Sequence, residues 1–172
     1  MGKGYIHIYT GNGKGKTTAA LGLALRAAGH GYKTFVGQFM KGSYYGELTS
    51  LENIKEIDIE QFGGDKCITR DQVDESHKDQ ARLGLRRIKE ILKANQHKIV
   101  VLDEICVTIW FGIVAEQEII EVLDTKPSNM EIVLTGRNAS ESLVKYADLV
   151  TEMKEISHYY SKGIEARDGI EK

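Results

Sequence analysis

Three glycines, two lysines and three threonines are closely spaced near the start of the sequence, in TGNGKGKTT at residues 10–18. Glycine adopts positive φ values at little cost, so the backbone of such a turn can point several N–H groups at one anion. Lys16 adds a positive charge, and the hydroxyl of Thr17 is a ligand that Mg²⁺ accepts. A helix after the turn would direct its positive dipole end at the same anion. The spacing therefore predicts a phosphate-binding loop for a nucleotide.

We expect nucleotide contacts from every loop residue after the strand and from the threonine that follows: Gly11, Asn12, Gly13, Lys14, Gly15, Lys16, Thr17 and Thr18. The loop is a variant, because Thr10 holds the place of the first glycine in the general pattern. The structural alternative is a glycine-rich turn that only joins a strand to a helix. The order of strand, glycines, Lys-Thr and helix favours the phosphate site. The loop alone does not tell which bond of the nucleotide is broken.

Two adjacent carboxylates end the apolar run KIVVLDE at residues 98–104. A continuous apolar run of this length is typical of a strand buried on both faces of a parallel sheet. One carboxylate, the Thr17 hydroxyl and phosphate oxygens would make a suitable Mg²⁺ shell. Adjacent strand residues point to opposite faces, but this alternation can relax at a strand end, so the pattern does not rank Asp103 and Glu104 as metal ligands.

Polar residues also follow two other predicted strands, residues 33–40 and 130–135. Ligands of open parallel sheets bind beyond the carboxyl ends of the strands, which makes Gln38, Lys41 and Arg137 candidate site residues. A solvated loop lysine explains Lys41 equally well. Arginine can bind two phosphate oxygens at once, while a structural ion pair is the alternative for Arg137.

The elements that must position these residues alternate between strand and helix. Such alternation predicts a three-layer α/β fold of the P-loop NTPase (RecA-like) type, with a mainly parallel sheet, helices on both faces and right-handed crossovers. A length of 172 residues favours one domain over residues 1–172. The remaining predicted elements are helices at 17–28, 47–51, 69–95, 116–123 and 140–146, strands around 6–8, at 57–62 and at 149–153, and a short element at 106–112. Residues 158–172 have little apolar content and are either a frayed end or a docked loop.

The composition excludes some classes of protein. A formal net charge of −2 and a pI near 6.2, with no strong basic cluster, give no reason to expect nucleic acid binding. The two cysteines, Cys67 and Cys106, lack metal-ligand spacing and are interpreted as reduced thiols. No apolar run is long enough for a signal peptide or a membrane span, which favours a cytoplasmic protein without a membrane partner.

Six segments in the same order resemble the ATP:corrinoid adenosyltransferases of the cobalamin pathway: TGNGKGKTTAALG, RAAGHG, QFMKG, VVLDE, LTGRNA and HYYSKGIEARDGIE. The resemblance spans nearly the whole chain. It implies that ATP and a reduced corrinoid are the substrates, that the 5′-deoxyadenosyl group moves to cobalt, and that triphosphate leaves. ATP would lie in the loop in the direction opposite to that in most P-loop proteins.

The same resemblance implies roles for individual residues. Lys16 would neutralise the triphosphate, Thr17 with Glu104 would hold Mg²⁺, and Arg137 resembles the arginine of the family's TGR segment. None of these residues acts as an acid or base, because reduced cobalt is itself the nucleophile. The resemblance further implies a homodimer and a flavin-containing protein as the reductant.

One segment departs from the family pattern. Better-known members carry an aromatic pair in a G-F-T-W segment, whereas the corresponding stretch here is QFGGDKCITR. The corrinoid-side candidates are therefore Phe62 and Cys67, together with Gln38 and Lys41. The alternatives are a P-loop kinase or ATPase that acts at the γ-phosphate and a nucleotide-gated binding module.

Overall fold

The computed structural model describes residues 2–172, which form six strands, six α-helices and two short 3₁₀ helices. The 3₁₀ helices are Arg70–Gln72 and Tyr159–Lys162. The strands and α-helices in chain order are β1 Ile6–Thr10, α1 Lys16–Ala28, β2 Thr34–Phe39, α2 Gly46–Glu52, β3 Ile57–Phe62, α3 Glu75–Ala94, β4 Ile99–Asp103, α4 Ile105–Trp110, α5 Glu116–Asp124, β5 Glu131–Thr135, α6 Glu141–Tyr146 and β6 Leu149–Glu152.

All six strands are parallel and lie in the order β3-β2-β4-β5-β1-β6. Parallel neighbours need crossover connections, and helices supply them here. β5 lies between β4 and β1, so the two sequence motifs meet at the same edge of the sheet with one strand between them. β1 leads into the glycine-rich loop, and β4 ends at Asp103. The predicted three-layer α/β fold is confirmed.

The apolar run of β4 shows how the sheet is covered on both sides. Ile99 and Val101 pack with the alanines of α1, whereas Val100 and Leu102 pack with residues of α3, α4 and α5 on the other face. Successive strand residues point to opposite faces, so a strand with a core on each side has to be apolar throughout. Because both faces of β4 are packed, the position of its carboxyl end is fixed, and with it the positions of Asp103 and the following Glu104.

The helix predicted over residues 69–95 is shorter in the structure. It begins at Glu75, because Asp74 caps it by accepting a hydrogen bond from the His77 amide at 3.2 Å. The residues before it form a separate 3₁₀ turn that begins after Thr69. None of the helices within residues 2–172 is long and apolar enough to cross a membrane.

The backbone is unusual where the strands end at the loop side. Met40, Glu104 and Asn138 have positive φ values of 57°, 63° and 58°, and they follow β2, β4 and β5. Positive φ is uncommon for residues with side chains and recurs at functional sites. The carboxyl edge of the sheet therefore holds its side chains in directions that a regular strand would not give.

Candidate active site

The glycine-rich loop packs tightly on the segment that follows β6. The Gly13 amide donates to the Met153 carbonyl at 2.6 Å. A Cβ at Gly11 or Gly13 would come within 2.5 or 2.7 Å of the same carbonyl oxygen, so only glycine fits either position. Gly15 has a φ of 116° and leads directly into α1. These contacts place the loop at the amino end of α1, which is the expected position for an anion site.

Lys16 is largely buried under this loop. Its Nζ donates to the carbonyl oxygens of Gly11 and Gly13, both at 2.7 Å, and the residue is 8% exposed. Burial lowers the pKa of Lys16, and the negative charge of Glu104 works against that shift. The ammonium is therefore fixed at the centre of the loop, where it can meet a phosphate group.

Asp103 is the centre of a buried hydrogen-bond network at the end of β4. Its Oδ1 accepts from the hydroxyls of Thr17 at 2.8 Å and Thr135 at 2.6 Å. Its Oδ2 accepts from Lys41 Nζ at 2.9 Å and from Gln38 Nε2 at 3.3 Å. The residue is fully buried. Both oxygens are thus engaged with protein groups from four different elements or loops.

Glu104 has quite different surroundings from its neighbour. Its amide donates to Thr135 Oγ1 at 2.9 Å, which helps to hold the positive φ of this residue. Within residues 2–172 its carboxylate has no hydrogen-bond or ion-pair partner. Burial and the adjacent Asp103 carboxylate raise the pKa of Glu104. A carboxylate in this condition is well suited to receive a cation.

Lys41 and Gln38 belong to the network of Asp103. Burial lowers the pKa of Lys41, but the Asp103 and Glu47 carboxylates outweigh it and leave the pKa raised. Gln38 is fully buried, and its Oε1 accepts from Gln61 Nε2 at 3.1 Å. Gln38 and Lys41 were predicted to lie beside a ligand, and in the structure both hold Asp103 in position.

Comparison with known proteins gives a match to a family model over nearly all of the chain. The model of ATP:corrinoid adenosyltransferase BtuR/CobO/CobP covers residues 2–171. The chain belongs to this adenosyltransferase family. A corrinoid adenosyltransferase of Sinorhizobium sp is 36% identical, over 98% of this chain and 80% of its own. Those of Escherichia coli K12 and Salmonella typhimurium are 34% and 33% identical, each over 98% of this chain and 86% of theirs.

For a member of the adenosyltransferase family, the arrangement brings together most of the predicted nucleotide-side residues. Lys16, Thr17 and both carboxylates lie at the junction of β1, α1 and β4. Arg137 is exposed on the loop after β5 and has no ion pair within residues 2–172, so the structural ion-pair alternative gains no support. Asn12 and Thr18 are exposed on the loop side.

Lys14 is the nucleotide-side residue whose surroundings differ most from the prediction. Its Nζ donates to Tyr159 Oη and to the Ile170 carbonyl, both at 3.0 Å, and to Glu171 Oε1 at 2.5 Å. Residues 158–172 are therefore the docked loop of the two alternatives and lie against the glycine-rich loop.

The two remaining corrinoid-side candidates differ in exposure. Phe62 ends β3, is 5% exposed and packs against Phe39 with ring centroids 5.7 Å apart, so its burial does not favour contact with a ligand. Cys67 is exposed on the loop between β3 and α3.

Three site residues escaped the sequence analysis: Thr135, Gln61 and Glu47. Thr135 closes β5, and Gln61 reaches both Gln38 and the Ser43 carbonyl. Glu47 accepts from Gln38 at 3.1 Å. The sequence offered only a weak indication of these three residues, since each is a polar residue near the end of a strand or in the short helix that follows one.

Proposed function

We propose that this protein transfers the 5′-deoxyadenosyl group of ATP to the cobalt of a reduced corrinoid, with release of triphosphate, in adenosylcobalamin synthesis or salvage. The observation that carries the proposal is the meeting of the Lys16 loop with the Asp103–Glu104 strand end in a chain of this family. The names of its relatives, corrinoid adenosyltransferases, agree with this activity.

The chemistry that this site supplies is positioning and charge stabilisation. Reduced cobalt is a strong nucleophile, so the protein needs no residue to activate it. The loop amides and Lys16 would hold the triphosphate, and Arg137, which is exposed on the loop after β5, would bind its exposed oxygens. Negative charge grows on the departing triphosphate, and fixed donors that meet it lower the barrier. Holding C5′ of ATP in line with the cobalt would lower the barrier further.

The donors present fit a Mg²⁺ ion bound mainly by phosphate. Within residues 2–172 no group of three or more His, Cys, Asp and Glu side chains is arranged as a metal site. Mg²⁺ with nucleotides commonly uses one or two protein oxygens and keeps several waters. Glu104 offers an unpartnered carboxylate, and Thr17 donates its hydrogen to Asp103, which leaves the hydroxyl lone pairs free. Bound there, the ion would offset the charge of the triphosphate.

Glu104 is the better direct ligand of the two carboxylates. Both oxygens of Asp103 already accept hydrogen bonds from protein groups, and its charge is balanced by Lys41. Asp103 would act through Thr17 by fixing the direction of the hydroxyl. We therefore assign the metal to Thr17 and Glu104 and give Asp103 the supporting role.

The corrinoid would lie on the side of β2 and β3, where Lys41 and Gln38 face Asp103. ATP would run opposite to the usual P-loop direction, so that C5′ points to this side. Cys67 is exposed on the loop beyond β3, whereas Phe62 would have to leave the core to touch a ligand. The family likeness supports a cytoplasmic homodimer that receives its electron from a flavin-containing reductant.

The direct test is incubation with Mg-ATP and a chemically reduced corrinoid under anaerobic conditions. We expect an absorption spectrum of an adenosylated corrinoid that is lost on illumination, because the cobalt–carbon bond is light-sensitive. The same mixture with Lys16→Ala should give no such species. Failure of the wild-type protein to alkylate cobalt, together with steady release of orthophosphate, would instead favour a kinase or ATPase acting at the γ-phosphate.

A further inference from the structure

The side chain of Lys14 leaves the glycine-rich loop and enters a cluster formed by residues 158–172, which we call the latch segment. An ammonium group has three N–H donors. All three are used here, on Tyr159, the Ile170 carbonyl and Glu171. Lys14 as positioned has no donor left for a phosphate oxygen.

Glu171 holds this cluster together. Besides Lys14, it accepts hydrogen bonds from Tyr159 Oη and from the Arg167 amide at 3.0 Å and Nε at 3.3 Å. The guanidinium of Arg167 also lies over the Tyr159 ring at 4.9 Å. These hydrogen bonds, those of Arg167 first, hold the pKa of Glu171 well below its usual range. The carboxylate therefore stays ionised wherever the protein is folded near neutral pH.

A cleft of about 300 Å³ is lined by Gly13 and Lys14 of the loop and by residues 154–159, which include the first two residues of the latch segment. On one side Gly13 is bonded to the Met153 carbonyl, and on the other Lys14 is bonded to the latch segment. Two successive loop residues are thus anchored to different parts of the chain that follows β6. A loop fixed at both points meets an anion without first having to be ordered.

We propose that Glu171 is a positioning residue for ATP, which acts by tethering Lys14 and so holding the glycine-rich loop in its binding conformation. This proposal rests on the proposed function for one point, which is that ATP is the nucleotide bound by the loop. Lys14 is accordingly a tether for the latch segment, and Lys16 is the lysine that meets phosphate.

The tether predicts a loss of ATP affinity that exceeds the loss of turnover. Each exposed ion pair contributes little by itself, but Glu171 accepts hydrogen bonds from three residues, Lys14, Tyr159 and Arg167. For Glu171→Gln we expect the Kd and the KM for Mg-ATP to rise about 3- to 10-fold, because the lost hydrogen bonds and ion pairs are each weak. The kcat should fall less than about twofold, because Glu171 touches no reacting atom.

The matched control is Glu165→Gln, which removes the same charge from the same segment. Glu165 is exposed and has no hydrogen bond or ion pair within residues 2–172. Isothermal titration of Mg-ATP into the wild-type protein, Glu171→Gln and Glu165→Gln gives the affinities without any corrinoid. Hydrogen exchange of residues 158–172 shows whether the segment is released. Failure of corrinoid alkylation would refute the proposed function and leave this measurement intact.

A rise in Kd confined to Glu171→Gln, accompanied by faster exchange in the latch segment, supports the proposal. Glu171→Asp should restore part of the affinity, and Glu171→Gln should have no added effect in a Lys14→Met background, since the tether is already lost. Release of the segment with unchanged or tighter ATP binding would overturn the proposal. Unchanged exchange and unchanged affinity would overturn it as well.

Discussion

Asp103 and Glu104 are neighbours in the chain, yet they have opposite surroundings. Asp103 is paired with Lys41 and accepts hydrogen bonds from Gln38 and two threonines, whereas the carboxylate of Glu104 has no protein partner within residues 2–172. A buried charge is tolerated when it is paired, and it is costly when it is not. The two residues should therefore respond differently to neutralisation.

Asp103→Asn should lower the free energy of unfolding by about 3 kcal/mol, because it removes the hydrogen-bonded partner of the largely buried Lys41 and leaves only Glu47, at 3.8 Å, to balance its charge. Glu104→Gln should change it by less than about 1 kcal/mol or raise it. The raised pKa of Glu104 shows that folding disfavours its charged form. The neutral amide of Gln removes that cost, so the free energy of unfolding should not fall much. Urea denaturation measures both values. Equal losses in the two variants would contradict the assignment of their roles.

The two cysteines also separate by environment. Cys106 is 1% exposed, and burial raises the pKa of its thiol to about 12, while Cys67 lies on the surface. The thiolate is the reactive form, so near neutral pH one thiol should react with iodoacetamide in the native protein and two after denaturation. Mass spectrometry should find the native adduct on Cys67. Rapid native labelling of Cys106 would show that the packing around α4 is wrong.

For individual residues, the sequence predicted position best where a residue type in a given pattern has few structural roles. Thr17, which follows the glycines, and Asp103, which ends the apolar strand, are hydrogen-bonded in the structure, and their role in a nucleotide site stays a prediction. The partner of Lys14 could not be predicted, because Tyr159 and Glu171 are distant in sequence and carry no pattern of their own. The sequence likewise gave no ranking of Asp103 and Glu104, which depends on what lies across the sheet.

At the scale of elements, the loop after β5 shows why the carboxyl edge of the sheet demands unusual backbone. Gly136 has a φ of 134°, and a Cβ there would lie 3.0 Å from Cys106 Cβ and from the Val107 amide nitrogen. The loop that carries Arg137 therefore passes very close to α4. Apolar strands and amphipathic helices were predictable from periodicity, but this approach of loop to helix was not.

Gly136→Ala should destabilise the protein by about 2 kcal/mol, from the strained φ and the close contact. Gly22→Ala is the matched control. Gly22 lies exposed in α1, and a Cβ there meets nothing within 4 Å. Alanine favours helix over glycine, so this change should stabilise by about 1 kcal/mol. Thermal or urea unfolding of both variants gives the two signs, and a stabilised Gly136→Ala protein would contradict the described loop.

At the scale of the whole molecule, strand order decides where the chemistry lies. The sequence predicted parallel strands, but β4 becomes the neighbour of β2 and β5 only through long crossovers. That order places β4 and β5 at the centre of the sheet, with β1 next to β5, and leaves β3 and β6 at its edges. Local patterns contain no information on such pairing, so the proximity of the Lys16 loop to Asp103 rested on motif knowledge.

A ligand that binds only the folded protein stabilises all of it, so Mg-ATP should raise the Tm. At a concentration 100 times the Kd the gain is about 2.7 kcal/mol, which is about 5 to 10 °C for a domain of this size. Lys16→Ala should unfold near the wild-type temperature without ATP and show no shift with it. Lys33→Ala, an exposed lysine before β2, is the control and should shift like the wild type. An equal shift in Lys16→Ala would remove the loop from nucleotide binding.

The central claim is that C5′ of ATP, rather than a phosphorus atom, is attacked at this site. Phosphorus NMR of the products tests it directly, with Mg-ATP incubated in the presence and absence of a reduced corrinoid. The adenosyltransferase function predicts one triphosphate released per corrinoid alkylated and no turnover without the corrinoid. Orthophosphate and ADP formed at the same rate with or without the corrinoid would contradict it.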